Sequence, residues 1–230
     1  MIAQYVLLFF VYSFIGWLVE IFERIIIEKK FINRGFLIGP YVPVWGFGAI
    51  LMTLLLHNYV NEPLVFILLA MFISGVLEYL TSYFMEKIFH ARWWDYSDHK
   101  FNLNGRVCLL YLIGFAVGGY IVVGIANPGY FMMLDFLSIK ALDIIAIVLS
   151  IIFITDILLS SHVIVKLKGT VGNAKDNTEE ISKKVRETLS ANLFHRRILH
   201  SYPHLRENIV KVEKKIAKEI KKDLGKLKRH

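Results

Sequence analysis

The sequence predicts an all-α protein of the membrane class: a polytopic bundle of about five transmembrane helices followed by a helical tail. Hydrophobic residues make up 56% of the chain, and its mean hydropathy is +0.52; both values are high for a soluble domain. These residues are concentrated in five blocks, each near the length of about 20 residues that crosses a bilayer as a helix. The blocks cover roughly residues 2–22, 36–56, 63–85, 107–126 and 141–165. We therefore divide the chain into a transmembrane domain, 1–165, and a tail, 166–230.

The first block is expected to be a membrane span and not a signal peptide. It begins without a basic segment and lacks a small-residue cleavage site, and a signal peptide has both. Cys108 is the single cysteine, so the sequence offers neither an internal disulfide nor a zinc site of several cysteines.

The distribution of lysine and arginine predicts the orientation, because these residues are enriched in cytoplasmic loops. They occur in the links that follow the first and third blocks, and they are missing from links 57–62 and 127–139. The tail is also rich in both, and the net charge of the chain is +8. The predicted topology has the N-terminus outside and the C-terminus in the cytoplasm.

An internal repeat organises the transmembrane domain. Residues 14–34 align with residues 72–92, and seven of the 21 aligned positions are identical, including Glu20 opposite Glu78. A weaker alignment extends the two copies to about 14–48 and 72–118. Each copy contains two spans, so both enter the membrane in the same direction, as the parallel repeats of some transporters do.

The second copy contains an insertion that the first copy lacks. It covers residues 93–104, with the sequence WWDYSDHKFNLN. The insertion combines aromatic, acidic and amide side chains although it links two hydrophobic blocks. We therefore expect an asymmetric feature at this place.

Each copy carries a glutamate near the predicted cytoplasmic end of its first span. Glu20 shares a helical face with Arg24, and Glu78 shares a face with Ser74 and Ser82. A carboxylate there costs a few kcal/mol unless it is paired or hydrated. Two interpretations stay open: Glu20 pairs with Arg24 and both reach the interface, or the two glutamates flank one pocket.

Two further features concern the second and fifth blocks. Asp156 and Ser160 lie one helical turn apart, and the aspartate needs a partner, across helices or at the same pocket. The stretch RGFLIGPYVPVWGFG predicts a broken helix start between Gly39 and Pro43. Free backbone N–H groups at such a start attract an anion; alternatively, the small residues pack against the fourth block.

The inserted loop and its flanks supply the other candidate binding residues. Three interpretations fit the loop: a divalent metal site, although the spacing matches no defined one; an interfacial aromatic belt; or a ligand-capping loop whose rings exclude water. In the third, Arg34 and Arg106 contact an anion. We predict no metal and no cofactor. The predicted binding residues are Glu20, Glu78, Arg34, Trp93, Trp94, Asp95, Tyr96, Asp98, Asn102, Asn104 and Arg106.

These motifs resemble those of a bacterial ABC-transporter permease family of the CmpB type. The resemblance rests on Gly16 and Trp17 with Glu20, on residues 34–48, on Glu78, on WWDYS at 93–97 and on NLNGR at 102–106. It covers about residues 9–118 and implies a protein of the bacterial cytoplasmic membrane. Because the chain has no GxxxxGK[ST] stretch, an ATPase that drives it would be a separate subunit.

The tail shows two amphipathic helical patterns separated by Pro203. They fit a hairpin, a short coiled coil in a homodimer, or a surface that binds anionic lipid headgroups. Nucleic-acid binding is not expected, because the basic residues follow a membrane span and no nucleic-acid motif accompanies them.

Two function classes follow from these patterns. The first is a permease-like protein that binds a polar or amphipathic solute in a cavity lined by membrane carboxylates near the cytoplasmic side. The second is a membrane-embedded enzyme that acts on a lipid-linked or amphipathic substrate, with Glu20, Glu78, Asp95 or Asp98 as general acid or base. The sequence does not assign the catalytic role to any one of these residues.

Overall fold

The computed structural model describes residues 2–29, 37–89 and 94–173; the side chains of residues 24, 27, 28, 89 and 163–173 are outside the description. The predicted all-α class is confirmed. The helices are α1 (Ile2–Glu28), α2 (Pro43–Leu56), α3 (Pro63–Phe89), α4 (Leu109–Ile121), α5 (Asn127–Leu134) and α6 (Ile139–Asn173), with two short strands, β1 (Asn102–Leu103) and β2 (Val107–Cys108). The predictions for the tail from residue 174 onward lie outside the described residues.

Four helical stretches in the described ranges are long and apolar enough to cross a membrane. They are Ile2–Glu23, Pro63–Ile88, Leu109–Leu134 and Ile139–His162. The remaining predicted span, residues 36–56, contains α2, which has 14 residues and at 1.5 Å per residue is about 21 Å long. That is shorter than a bilayer core of about 30 Å, so α2 needs the segment before it to complete the crossing.

The broken start of the second span is confirmed. Residues 37–42 are not helical, and α2 begins at Pro43 after Val42, whose backbone is extended at φ −118°. Proline lacks the N–H that a helix interior requires and restricts the residue before it to extended conformations. Pro40 and Pro43 together therefore prevent the helix from starting earlier.

The predicted end of the fourth span at residue 126 is wrong. After α4 the chain forms a π-helical turn, Val122–Ala126, and continues as α5 to Leu134. Pro128 lacks the N–H that would bond to the carbonyl four residues earlier, and a π turn accommodates such an interruption without ending the helix. Much of the predicted outer link is therefore helix.

Helices that follow one another in the chain pack as pairs. The closest associations are between α1 and α2 and between α3 and α4; α2 also contacts α3, and α1 contacts α6. Two successive two-helix units would produce this arrangement. The duplication itself stays a prediction from the sequence.

A small residue allows α1 and α2 to approach closely. A Cβ atom on Gly46 would lie 2.3 Å from Ser13 Oγ and 2.5 Å from the carbonyl oxygen of Phe9. The Val42 amide also donates a hydrogen bond of 2.9 Å to the Ser13 carbonyl. Glycine at a helix contact in a membrane lets backbones approach to this distance, so the start of α2 is fixed directly against α1.

The buried core lies between α2, α3 and α4. It includes Met52, Phe66, Ala70, Ala116 and Val123. Many large hydrophobic side chains elsewhere are exposed, among them Leu68, Phe72, Ile147 and Ile151. Such exposure is expected where lipid, and not water, surrounds the bundle.

A buried polar network joins α1, α2 and α5. The Tyr12 hydroxyl donates to Asn127 Oδ1 at 2.8 Å, and Asn127 Nδ2 donates to Thr53 Oγ1 at 2.7 Å. Asn127 is 3% exposed. The sequence analysis placed this residue in an outer link and missed the network.

Candidate functional site

Glu78 lies on a buried polar face of α3. Ser74, Glu78 and Ser82 are exposed by only 7%, 5% and 3%, as their spacing of four residues predicts for one side of a helix. Ser74 donates to the carbonyl of Ala70 within the helix at 2.8 Å. Glu78 interacts with Tyr96 of the inserted loop, and Ser82 interacts with Arg106 just after that loop.

The two oxygens of the Glu78 carboxylate have different surroundings. Oε1 accepts a hydrogen bond of 2.8 Å from the Tyr96 hydroxyl. Oε2 is buried and has no hydrogen-bond partner among the residues that the structure describes. A buried acceptor without a partner costs about 1–3 kcal/mol, so this oxygen is the least satisfied polar atom of the face.

Tyr96 is positioned by a hairpin that begins at the end of the insertion and continues beyond it. Strand β1 pairs antiparallel with β2, and Leu103 lies opposite Val107. The turn between them places Asn104 at φ 55° and Gly105 at φ 67°, and an Asn-Gly sequence adopts this left-handed conformation readily. The Tyr96 amide donates to the Gly105 carbonyl at 2.8 Å, which fixes the tyrosine beside the hairpin.

Two stacked tyrosines connect the acidic face of α3 with α1. The Tyr96 ring stacks on Tyr111 of α4, with centroids 4.7 Å apart. The Tyr111 hydroxyl lies 3.4 Å from Glu23 Oε1, within hydrogen-bond distance. Burial and the adjacent Glu78 carboxylate raise the pKa of the Tyr96 hydroxyl above its usual value of 10, so Tyr96 keeps its proton and acts as the donor.

Glu20 reaches the same region from α1. Trp45 of α2 donates from Nε1 to Glu20 Oε1 at 3.3 Å, and the Trp45 ring packs edge-on against Phe115 at 5.2 Å. The carboxylates of Glu20 and Glu78 are close enough for their charges to interact. That the two repeat-related glutamates line one site stays a prediction. The Arg24 side chain, the alternative partner of Glu20, lies outside the described residues.

Arg106 is held inside the fold by an ion pair. Its Nη2 lies 2.6 Å from Glu86 Oε2, and its Nη1 donates to Ser82 Oγ at 3.2 Å. The guanidinium also lies over the rings of Tyr79 and Tyr83, at 5.6 Å and 5.5 Å from their centroids. The predicted anion contact thus has an internal carboxylate as its partner.

The other loop residues mainly stabilise the hairpin. Trp94 Nε1 donates to the Arg106 carbonyl at 2.9 Å, and Asn104 Nδ2 donates to the Tyr79 hydroxyl at 3.0 Å. Asn102 Oδ1 accepts from the Gly105 amide at 2.9 Å.

The two aspartates of the loop are exposed, and Asp95 accepts hydrogen bonds from Ser97. Asp98 lies in the turn that follows. Within the described ranges, no group of three or more His, Cys, Asp and Glu side chains is arranged to hold a metal ion. Trp93 and Arg34 lie outside the described residues.

Asp156 of α6 binds the broken start of the second span. Its carboxylate accepts hydrogen bonds from the amides of Ile38 at 2.9 Å and Gly39 at 2.7 Å, and from the Tyr41 hydroxyl at 2.5 Å. Ser160, one turn further along α6, donates to it at 2.8 Å. The predicted bond across helices is confirmed, and the anion that these N–H groups attract is part of the chain.

Comparison with known families agrees with the resemblance seen in the sequence. A family model described as "Putative ABC-transporter type IV" matches residues 7–161. The chain belongs to this family. The match extends from α1 to α6 and includes every described residue of the site. Neither a curated protein nor a solved structure matches the chain.

Four residues of this family member's site were missed by the sequence analysis: Glu23, Glu86, Tyr79 and Tyr111. A signal was present for two of them. Glu86 is one of the identical positions of the repeat, opposite Glu28, and Tyr111 falls opposite Tyr41 in the weaker alignment. Both tyrosines stand at or just before the second helix of their unit, and both hydroxyls contact an acidic side chain.

Proposed function

We propose that this membrane protein is a permease-type subunit that binds a polar or amphipathic solute between Glu20 and Glu78, near the cytoplasmic side. One observation carries the proposal: Glu78 is buried within electrostatic range of Glu20, and its Oε2 has no partner in the described part of the chain. Intramembrane acids that lack a partner are expensive, and they mark solute or ion pathways in many membrane proteins.

The inserted hairpin supports a site that is covered from one side. Tyr96 reaches Glu78 from this hairpin, and its ring extends the cover to Tyr111. Only the second copy of the repeat has the insertion. With the C-terminus in the cytoplasm, as the lysine and arginine distribution predicts, the hairpin would be a cytoplasmic cover of the solute.

The family supports a transport role and the need for a partner. Its description names an ABC transporter, and ABC transporters obtain energy from ATP. The chain has no phosphate-binding GxxxxGK[ST] stretch. We therefore propose a separate ATPase subunit, with the basic tail available to anionic lipid or to a second copy.

The experiment that tests this proposal identifies what the protein retains from its own membrane. The full chain and the variants Glu20→Gln and Glu78→Gln are expressed in bacteria, transferred to nanodiscs and analysed by mass spectrometry of extracted small molecules and lipids. We expect a compound that the unchanged protein retains and that both variants lose. Asp143→Asn is the control, because it removes an exposed carboxylate near the start of α6, away from both glutamates in the chain.

Identical compounds in all four preparations would contradict a binding site at these glutamates. A retained compound that the purified protein converts chemically would favour the enzyme class over the permease class. Uptake of that compound into proteoliposomes with unchanged mass would favour the permease.

A further inference from the structure

We propose that the β1–β2 hairpin is anchored in the membrane surface, with the side chains of Phe101 and Leu103 inserted among the lipid headgroups. These two side chains are 80% and 58% exposed. The inference does not depend on the solute or on the roles of Glu20 and Glu78. It assigns bilayer lipid as the partner of a surface that the sequence analysis left unassigned.

The exposed residues of the loop change from polar to apolar at one point. Residues 97–100 are all exposed and polar, and Phe101 and Leu103 follow them directly. Asn102, between these two, is held toward the turn, where its Oδ1 accepts a hydrogen bond of 2.9 Å from the Gly105 amide. The two apolar side chains are thus the ones that the hairpin leaves on its outer side.

The hairpin lies at the level of the membrane surface. The Leu109 amide donates a hydrogen bond of 3.1 Å to the Phe101 carbonyl. Leu109 is the first residue of a stretch of 26 residues, Leu109–Leu134, that is apolar enough to cross a membrane. At 1.5 Å per residue this stretch is about 39 Å long, close to the bilayer thickness of about 40–45 Å with its headgroups. Phe101, bonded to the first residue of the stretch, is therefore at headgroup depth.

The apolar residues of the hairpin continue the lipid-facing surface of α4. Leu110 and Ile113, in the first turns of this helix, are 68% and 43% exposed, as expected of side chains that face lipid. The bond between Leu109 and Phe101 places the hairpin beside these turns. Phenylalanine and leucine at such a position enter the boundary between headgroups and acyl chains to a depth of about 5–10 Å.

The other described aromatic residues of the loop have partners within the fold. Trp94 Nε1 donates to the Arg106 carbonyl, and the Tyr96 hydroxyl donates to Glu78. Both are partly buried, whereas Phe101 is mainly exposed. Among the described aromatic residues of this loop, Phe101 is therefore the one available to lipid.

The backbone of Phe101 supports a role outside the fold. Its φ of 54° lies in the left-handed region, which is unusual for a bulky side chain and easier for glycine or asparagine. Residues held in such conformations occur where another gain outweighs the local cost. A ring in water would only add to that cost, because exposed apolar surface is unfavourable there, and burial of the ring in lipid offsets it.

The test compares how lipid-borne and water-borne quenchers reach a fluorophore on the hairpin. Phe101→Cys, Leu103→Cys and Asp98→Cys are each made in a full-length Cys108→Ala background, labelled with the same small thiol-reactive fluorophore and placed in phosphatidylcholine nanodiscs. Asp98→Cys is the matched control from the exposed polar turn of the same loop. Leu103→Cys leaves the left-handed residue unchanged, so the test does not depend on the substitution of Phe101 alone.

We expect phosphatidylcholine with a nitroxide near the top of its acyl chain to quench the labels at 101 and 103 at least threefold more strongly than the label at 98. Iodide in the water should quench them at least threefold less strongly. Equal quenching by iodide at all three positions would overturn the proposal and would favour a surface for a soluble partner. Weak quenching by both reagents at 101 and 103 would also overturn it, because protein, from the tail or a second copy, would then cover these side chains.

Discussion

Removal of the Asp156 carboxylate should release the start of the second span from α6. In Asp156→Ala the amides of Ile38 and Gly39 and the Tyr41 hydroxyl all lose their acceptor. Interhelical hydrogen bonds in membranes contribute about 0.6 kcal/mol each on average and about 1.7 kcal/mol at most. Three of them amount to about 2–5 kcal/mol, as far as they act independently.

The variant is best measured in two ways. Thermal unfolding in nanodiscs reports the loss of global stability. Hydrogen exchange of a peptide that covers residues 37–42 reports the loss of local stability at the start of the second span. Loss of about 1.4 kcal/mol corresponds to tenfold faster exchange, so we expect the Ile38 and Gly39 amides to exchange at least tenfold faster. Asp156→Asn should be intermediate. Its Oδ1 can still accept a hydrogen bond from one of the two backbone N–H groups, whereas its Nδ2 is a donor and cannot accept from the other.

Thr155→Ala is the matched control, since the exposed Thr155 hydroxyl donates to the Ile151 carbonyl within α6. It should change neither measurement. If Asp156→Ala unfolds and exchanges as Thr155→Ala does, the reasoning that α6 holds the start of the second span is refuted.

Three other changes have defined outcomes. Gly46→Ala would bring Cβ to 2.3 Å from Ser13 Oγ and should lower the free energy of unfolding by about 1–3 kcal/mol. Gly118→Ala, where the added carbon meets no neighbouring atom within 4 Å, should be neutral or stabilising. Thermal unfolding compares the two variants. Asn127→Ala removes the acceptor of a tyrosine hydroxyl on α1 and should cost about 1–3 kcal/mol in the same assay. Because the folded-state pKa of Tyr96 is raised above 10, the contribution of Tyr96 to stability is complete below pH 10 and declines at higher pH. The difference in tyrosinate absorbance between the unchanged protein and Tyr96→Phe should therefore appear only above pH 10. A tyrosinate signal from this residue at or below pH 10 would contradict its burial against Glu78.

The sequence predicted the parts of the fold that depend on local chemistry. Block length and hydropathy located the long helices, because a bilayer demands about 20 apolar residues per crossing. Pro40 and Pro43 predicted the broken start of α2, because proline removes a backbone donor wherever it stands. The need of Asp156 for a partner was also evident, since a lone carboxylate at that depth is costly.

Features that depend on three-dimensional neighbours were harder to predict. The fourth hydrophobic block predicted the end of a span at residue 126, but a π turn carries the helix on to Leu134, and Asn127 is held by buried hydrogen bonds. The partner of Arg106 is Glu86, 20 residues away, and charge type alone did not distinguish an internal acid from an external anion. Short hairpins such as the one around Gly105 also leave little periodicity to detect.

The central claim is that Glu20 and Glu78 lie at one shared site. Cys108 is the single cysteine, so a Cys108→Ala background allows Glu20→Cys and Glu78→Cys to be paired without other thiols. A membrane-permeant bifunctional thiol reagent with a span of about 8 Å, the Debye length at physiological ionic strength, is applied first. Cleavage at methionine then separates residue 20 from residue 78. The account predicts that the two fragments stay joined, and that a pair of cysteines at positions 20 and 143 does not join. Fragments that separate, although both thiols react with a monofunctional reagent, would show that the glutamates do not share a site.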